Sequence, residues 1–186
     1  MASTINKSPE NHSSRAVVMK THKFYFVSQI SLRCLAIFAT LTATWIMLTT
    51  KQTTVVFGIQ LDARYNYSSA FKFFAFANLI ACVFSVLSLF LAFILSSKEV
   101  DPTYYFYTFL HDLIVLLLLM AGCAAATAVG YIGKYGNNYT GWMPICDHFA
   151  KFCHKIIFAA LLSYFGILLY LILTIISANK SRQIQV

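Results

Sequence analysis

Apolar residues in this chain are gathered into four long runs separated by short polar stretches. The runs cover about 27–48, 73–95, 106–132 and 156–177. Each meets the roughly 20 apolar residues that a helix needs to cross a bilayer. The pattern predicts an all-α membrane protein, a four-helix transmembrane bundle over 24–178. A polar tail over 1–23, rich in Ser, Asn and Lys without apolar period, reads as disordered, and 179–186 forms a second short tail. The connection from 51 to 69 breaks the helical pattern. Val55, Val56, Phe57, Ile59 and Leu61 are strand-prone and Gly58 permits a turn, which predicts a small β-hairpin there.

Small residues recur at four-residue spacing inside the runs. Gly122, Ala126 and Gly130 form one row, Ala77 and Ala81 lead into Ser85 in another, and Gly166 lies near Ala159 and Ser163. Lipid chains give helices no hydrophobic drive to associate, so close backbone approach at such rows supplies packing.

Composition narrows the class further. The chain of 186 residues is 59% hydrophobic and 11% charged, too little polar surface for a soluble domain of this size. The first run is too long for a signal peptide, carries Arg33 inside and lacks a small-residue cleavage site after it, so it reads as a retained helix. A net charge of +8 is spread over tails and loops without a basic stripe. That distribution suits a membrane surface and argues against nucleic acid.

Four spans put both termini on one side. Seven Lys and Arg residues fall on that side and six on the other, so the count barely orients the chain. The cluster before the first span, Lys20 and Lys23 included, favours cytoplasmic termini and two extracellular loops. Candidate glycosylation sequons at Asn66 and Asn138 lie in those loops, although similar triplets start at Asn6, Asn11 and Asn179.

Two charges sit well inside the runs. Arg33 is six residues past Val27 and Asp112 six past Phe106, so at about 1.5 Å per residue both lie near 9 Å depth on helices that run the same way. An unpaired carboxylate there costs several kcal/mol, which predicts an intramembrane Arg33–Asp112 ion pair. The pair reads either as a structural lock that fixes which helix faces which, or as a gate, proton site or substrate site. His111 adjoins Asp112 but should point about 100° away and reads as interfacial.

Cys34, Cys82 and Cys123 fall in spans and read as small packing residues. Cys146 and Cys153 lie in the second loop and are candidates for a disulfide. Along a straight helix their Cα atoms would stand about 10 Å apart, so a bridge requires the loop to fold back, around Trp142 and Phe149. His148 and His154 flank them, but C-D-H-x4-C-H matches no common zinc spacing. No nucleophile elbow, phosphate loop, HExxH or paired catalytic carboxylates occur, which points away from an enzyme and from a cofactor.

From about Lys23 onward the chain resembles the plant CASP-like proteins, relatives of the Casparian strip membrane domain proteins within the four-span MARVEL-like group. The resemblance rests on Arg33 and Asp112 and on two stretches, ARYNYSSAFKFFAFANLIA at 63–81 and GKYGNNYTGWMPICDHFAKFC at 133–153. It implies a plasma-membrane protein with cytoplasmic termini that forms homo- and hetero-oligomers with related CASP-like proteins. It also implies a scaffold that organises a membrane domain and recruits secreted cell-wall enzymes. The acidic, Pro- and Phe-rich signature of strip-forming members is replaced here by TTKQTTVVFGIQLD, which points to the broader CASP-like group. The alternative from the residues alone is a small transporter or channel component with Asp112 as titrating site; a metal protein using Cys146, His148, Cys153 and His154 is a third reading.

Overall fold

In the computed structural model the backbone is described over residues 10–56, 58–95 and 102–185, and side chains over 26–55, 58–94 and 105–182. Four helices, α1 (Glu10–Thr49), α2 (Ser69–Leu95), α3 (Pro102–Tyr135) and α4 (Ala150–Gln185), carry the chain. Each contains a segment long and apolar enough to cross a membrane: Phe26–Thr49, Ser69–Ile94, Tyr105–Tyr135 and Ala150–Arg182. These are longer than the apolar runs because polar ends continue the same helices.

The largest difference lies at the N-terminus. Residues 1–9 of the expected disordered tail fall outside the described residues, but from Glu10 the chain is helical and runs unbroken into the first span. No Gly or Pro interrupts it between Glu10 and Thr49, and a helix already fixed by the span extends at low cost because nucleation is the expensive step.

Between α1 and α2 the chain forms the expected hairpin, β1 (Lys51–Val56) against β2 (Ile59–Arg64), with Lys51 opposite Arg64 and Val56 opposite Ile59. Gly58 closes the turn at φ 81°, in the left-handed region that only glycine enters freely. A 3-10 turn, Tyr65–Tyr67, then feeds α2.

Burial along the helices has a seven-residue period. In α1 a buried seam runs through Gln29, Arg33, Ala36, Thr40, Ala43 and Met47, alternately four and three apart, with Ala39 and Thr44 buried beside it. In α4 the seam is Phe152, Ile156, Ala159, Ser163, Gly166, Tyr170, Leu173 and Ser177, with the same alternation, and Leu169, Thr174 and Ser181 are buried beside it. A spacing of 3.5 keeps a seam facing its neighbours only if the helices wind gently around one another, the left-handed geometry of four-helix bundles. Packing runs α1 to α2, α2 to α3, α3 to α4 and α4 back to α1, so α1 and α3 stand on a diagonal. Outside that core, Phe38, Trp45, Phe76, Phe90, Ile114, Leu117, Leu161 and Leu168 are exposed and present an apolar surface to lipid.

The second connection folds back on the end of α3. Gly136, at φ 71°, donates its N–H to Ile132 O at 2.8 Å and ends the helix in a left-handed cap. A Cβ there would fall 2.6 Å from Trp142 O, so the position needs glycine for space as well as conformation. Asn137 pairs with Trp142, and the N–H groups of Ile145 and Cys146 both donate to Gly133 O.

Candidate functional site

Arg33 and Asp112 meet across the bundle. Arg33 Nη2 lies 2.8 Å from Asp112 Oδ2, with the two residues 2% and 0% exposed. Neighbouring helix axes 8–10 Å apart leave a diagonal of about 11–14 Å, and the long Arg33 stem covers most of it. Two residues at the same end of the core join them. Ser177 Oγ donates to Asp112 Oδ2 at 3.4 Å, and Gln29 Nε2 donates to Ser177 Oγ at 3.4 Å. This node ties α1, α3 and α4 together. Arg33 Nη1 is buried and has no hydrogen-bond partner among the described residues.

His111 departs from its expected place. Its Nδ1 lies 3.2 Å from Asp112 Oδ1, and its ring stands edge-on to Phe84 at 5.6 Å. The backbone does set the two Cα–Cβ directions about 100° apart, but an imidazole is long enough to swing onto the neighbouring carboxylate. Asp112 therefore receives contacts from three residues rather than one.

Two further polar nodes continue along the core. Ser85 and Tyr170 hydroxyls bond to each other, and Tyr170 OH also donates to Ala81 O at 3.1 Å. Nearer the hairpin, Ser163 Oγ donates to Asn78 Oδ1 at 2.8 Å, Cys123 Sγ donates to Ser163 Oγ at 3.1 Å, and Asn78 Nδ2 donates to Phe74 O at 3.0 Å. The α4 members of the three nodes are Ser163, Tyr170 and Ser177, one hydroxyl every seven residues. One seam of α4 thus bonds α2 and α3 at Ser163, α2 at Tyr170, and α3 and α1 at Ser177. Sequence reasoning missed this series; the signal was the seven-residue spacing of hydroxyls inside an apolar run.

The packing residues divide. Gly122 is a contact point: a Cβ there would lie 3.0 Å from Ala77 Cβ and 3.4 Å from Phe74 Cα. Ala77, Ala81 and Ala126 are buried, and Gly166 faces Thr40 Cγ2, 3.3 Å from where a Cβ would stand. Gly130 differs, because a Cβ there meets nothing within 4 Å. The row expected at Gly122, Ala126 and Gly130 therefore makes its close packing only as far as Ala126.

At the hairpin end Cys146 and Cys153 form a disulfide with Cα atoms 5.7 Å apart. Cys146 lies in the fold-back before α4 and Cys153 in its first turn, so the 10 Å of a straight helix does not arise. Both thiols are consumed, and among the described residues no three His, Cys, Asp or Glu side chains gather to hold a metal. Gln52 of β1 reaches the same place, where its Oε1 accepts the Phe152 N–H at 2.8 Å. It thereby satisfies an otherwise orphaned donor in the first turn of α4. Asn66 and Asn138 are both exposed at this end.

A ring of four spanning helices with an apolar exterior, a diagonal ion pair and hydroxyl nodes within defines a four-span helical membrane protein. The model of the Casparian strip membrane protein domain matches residues 23–169, and the chain belongs to that family. It is 55% identical over 166 residues to CASP-like protein 1F1 of Vitis vinifera, covering 89% of this chain and 81% of that one. It is 49% identical over 177 residues to CASP-like protein 1F2 of Populus trichocarpa, covering 95% and 98%. Against CASP-like protein 1F1 of Ricinus communis it is 51% identical over 168 residues, covering 90% and 94%. No solved structure matches the chain.

Proposed function

We propose that this protein is a non-enzymatic scaffold of the plasma membrane, with both termini cytoplasmic. It oligomerises with itself and with related CASP-like proteins, organises a membrane domain, and guides local cell-wall modification by secreted enzymes. The observation that carries the reading is the use made of the ionised side chains set deep in the spans. Arg33 and Asp112 are buried and bonded to each other, and Ser177 and Gln29 close the same node. Polar groups held in this way join helices, whereas a transport path requires polar groups that face a cavity. The wide apolar exterior then remains for lipid and for neighbouring copies.

Photobleaching of the tagged protein in plant cells tests the reading. A scaffold recovers slowly and in discrete patches, and rapid uniform recovery argues against one. Reconstituted vesicles test the transporter alternative, since a proton or ion flux abolished by Asp112→Asn would favour it. Orientation is read from Asn66 and Asn138: extracellular loops carry glycans at these sequons, seen as a mass shift on enzymatic deglycosylation.

A further inference from the structure

A cleft of about 300 Å3 opens between α1 and α2 near the hairpin end of the bundle. Thr44 and Ala75, both buried, form its floor, and their small side chains keep it open. Leu48, Phe76 and Leu79 form the sides and are themselves exposed, so the cleft faces lipid rather than the core. The 3-10 turn roofs it through Tyr65, and Lys72 stands at the mouth.

The lining changes character with depth. Lys72 lies three residues into α2, about 4.5 Å below its start, and Leu79 about 10 Å further along the axis. A lysine at that level extends its ammonium to the headgroup layer while its stem follows the apolar wall. No acid lines the cleft. Asp62, on the nearby hairpin, is already bonded to Thr53 and Arg64, and among the described residues no ion pair involves Lys72.

We infer that this cleft is a binding site for one anionic glycerophospholipid of the hairpin-side leaflet, with an acyl chain between α1 and α2 and its phosphate on Lys72. The chain would be enclosed by α1, α2 and the roof, whereas an ordinary boundary lipid touches protein on one side. An ammonium and a phosphate form a charge-assisted bond at the end where the headgroup must lie.

The test uses the full-length protein in nanodiscs of phosphatidylcholine and phosphatidylglycerol in equal parts, with retained lipids counted by native mass spectrometry. The wild type is expected to keep one phosphatidylglycerol. Lys72→Gln removes the cation and leaves the cleft; Leu48→Trp fills the cleft and leaves the cation. Each should lower retention about tenfold, the scale of one lost charged hydrogen bond. Lys51→Gln, an exposed lysine at the same end of the bundle, should change nothing. Unchanged retention in either cleft variant, an equal loss in Lys51→Gln, or no preference over phosphatidylcholine would overturn the site. So would a protein dimer that Leu48→Trp dissociates.

Discussion

Arg33 and Asp112 belong to helices that stand diagonally across the bundle, yet Nη2 and Oδ2 are 2.8 Å apart. A pair across a diagonal constrains more than a pair between neighbours. It sets the height of α1 against α3 and, with Ser177 beneath the carboxylate, the rotation of α4 as well. Replacing either partner leaves the other charged and buried, which costs about 3–5 kcal/mol. Asp112→Ala should therefore lower thermal unfolding in detergent sharply and impair delivery to the membrane. Arg33→Asp combined with Asp112→Arg should recover part of that loss. A double variant no better than the single one would show that direct pairing is not what matters.

The α4 hydroxyls should each contribute less than the ion pair. Ser163→Ala orphans Asn78 Oδ1, and Tyr170→Phe removes the partner of the Ser85 hydroxyl and the second donor at Ala81 O. Hydrogen bonds between membrane helices contribute roughly 0.6 kcal/mol on average and about 1.7 at most. Unfolding titrations in mixed detergent should show losses in that range for each variant. Added losses are expected for the double variant, because the two nodes are a heptad apart, about 10 Å along the axis.

Gly122 and Gly130 provide a matched comparison on one helix. Gly122→Leu drives a side chain into Ala77 and the Phe74 backbone and should separate α2 from α3. A cost of about 1–3 kcal/mol, the range for overpacking, is expected. Gly130→Leu should be near neutral, because its Cβ meets open space. Equal sensitivity at the two sites would place Gly130 at an interface with another protein.

The hairpin end is held by a disulfide and a side-chain cap that act on the same turn of α4. Cys146→Ser opens a short loop, and loop-closure entropy gives a loss of about 2–3 kcal/mol. Gln52→Ala removes the acceptor of the Phe152 N–H and should cost about 1 kcal/mol. Hydrogen exchange in the first turn of α4 should accelerate in both variants. Faster exchange in the hairpin alone after Gln52→Ala would mean that the contact does not cap α4.

Asp62 supplies the pH dependence of the hairpin. Its carboxyl is held below its ordinary 3.8, chiefly by the hydrogen bond from Thr53, with desolvation opposing it and Arg64 adding to the lowering. A lowered folded value means that the ionised form favours the hairpin. Its contribution is present above 3.8 and is lost as pH falls through the lower folded value. Thr53→Val should raise the Asp62 titration midpoint, followed by carboxyl NMR. A midpoint that does not move would assign the shift to Arg64.

Much of this architecture was legible in the chain. Four apolar runs of spanning length, a strand-prone segment around Gly58 and two charges at matching depth can be read from residue type and spacing. The reach of α1 back to Glu10 was not, because helix extension depends on a neighbouring segment already being helical. Nor was the contact of His111 with Asp112, which turns on a side-chain torsion rather than on backbone direction.

Depth and identity were thus settled by the sequence itself, since rise per residue is fixed and an apolar run must lie in the hydrocarbon. Lateral arrangement was decided only by the tertiary structure. Which helix stands diagonal to which, which glycine meets a partner, and where Gln52 finds an N–H one hundred residues away depend on how four seams turn toward one another. Every apolar face is equally content in lipid, so the choice falls to shape and to the few polar groups that must find each other.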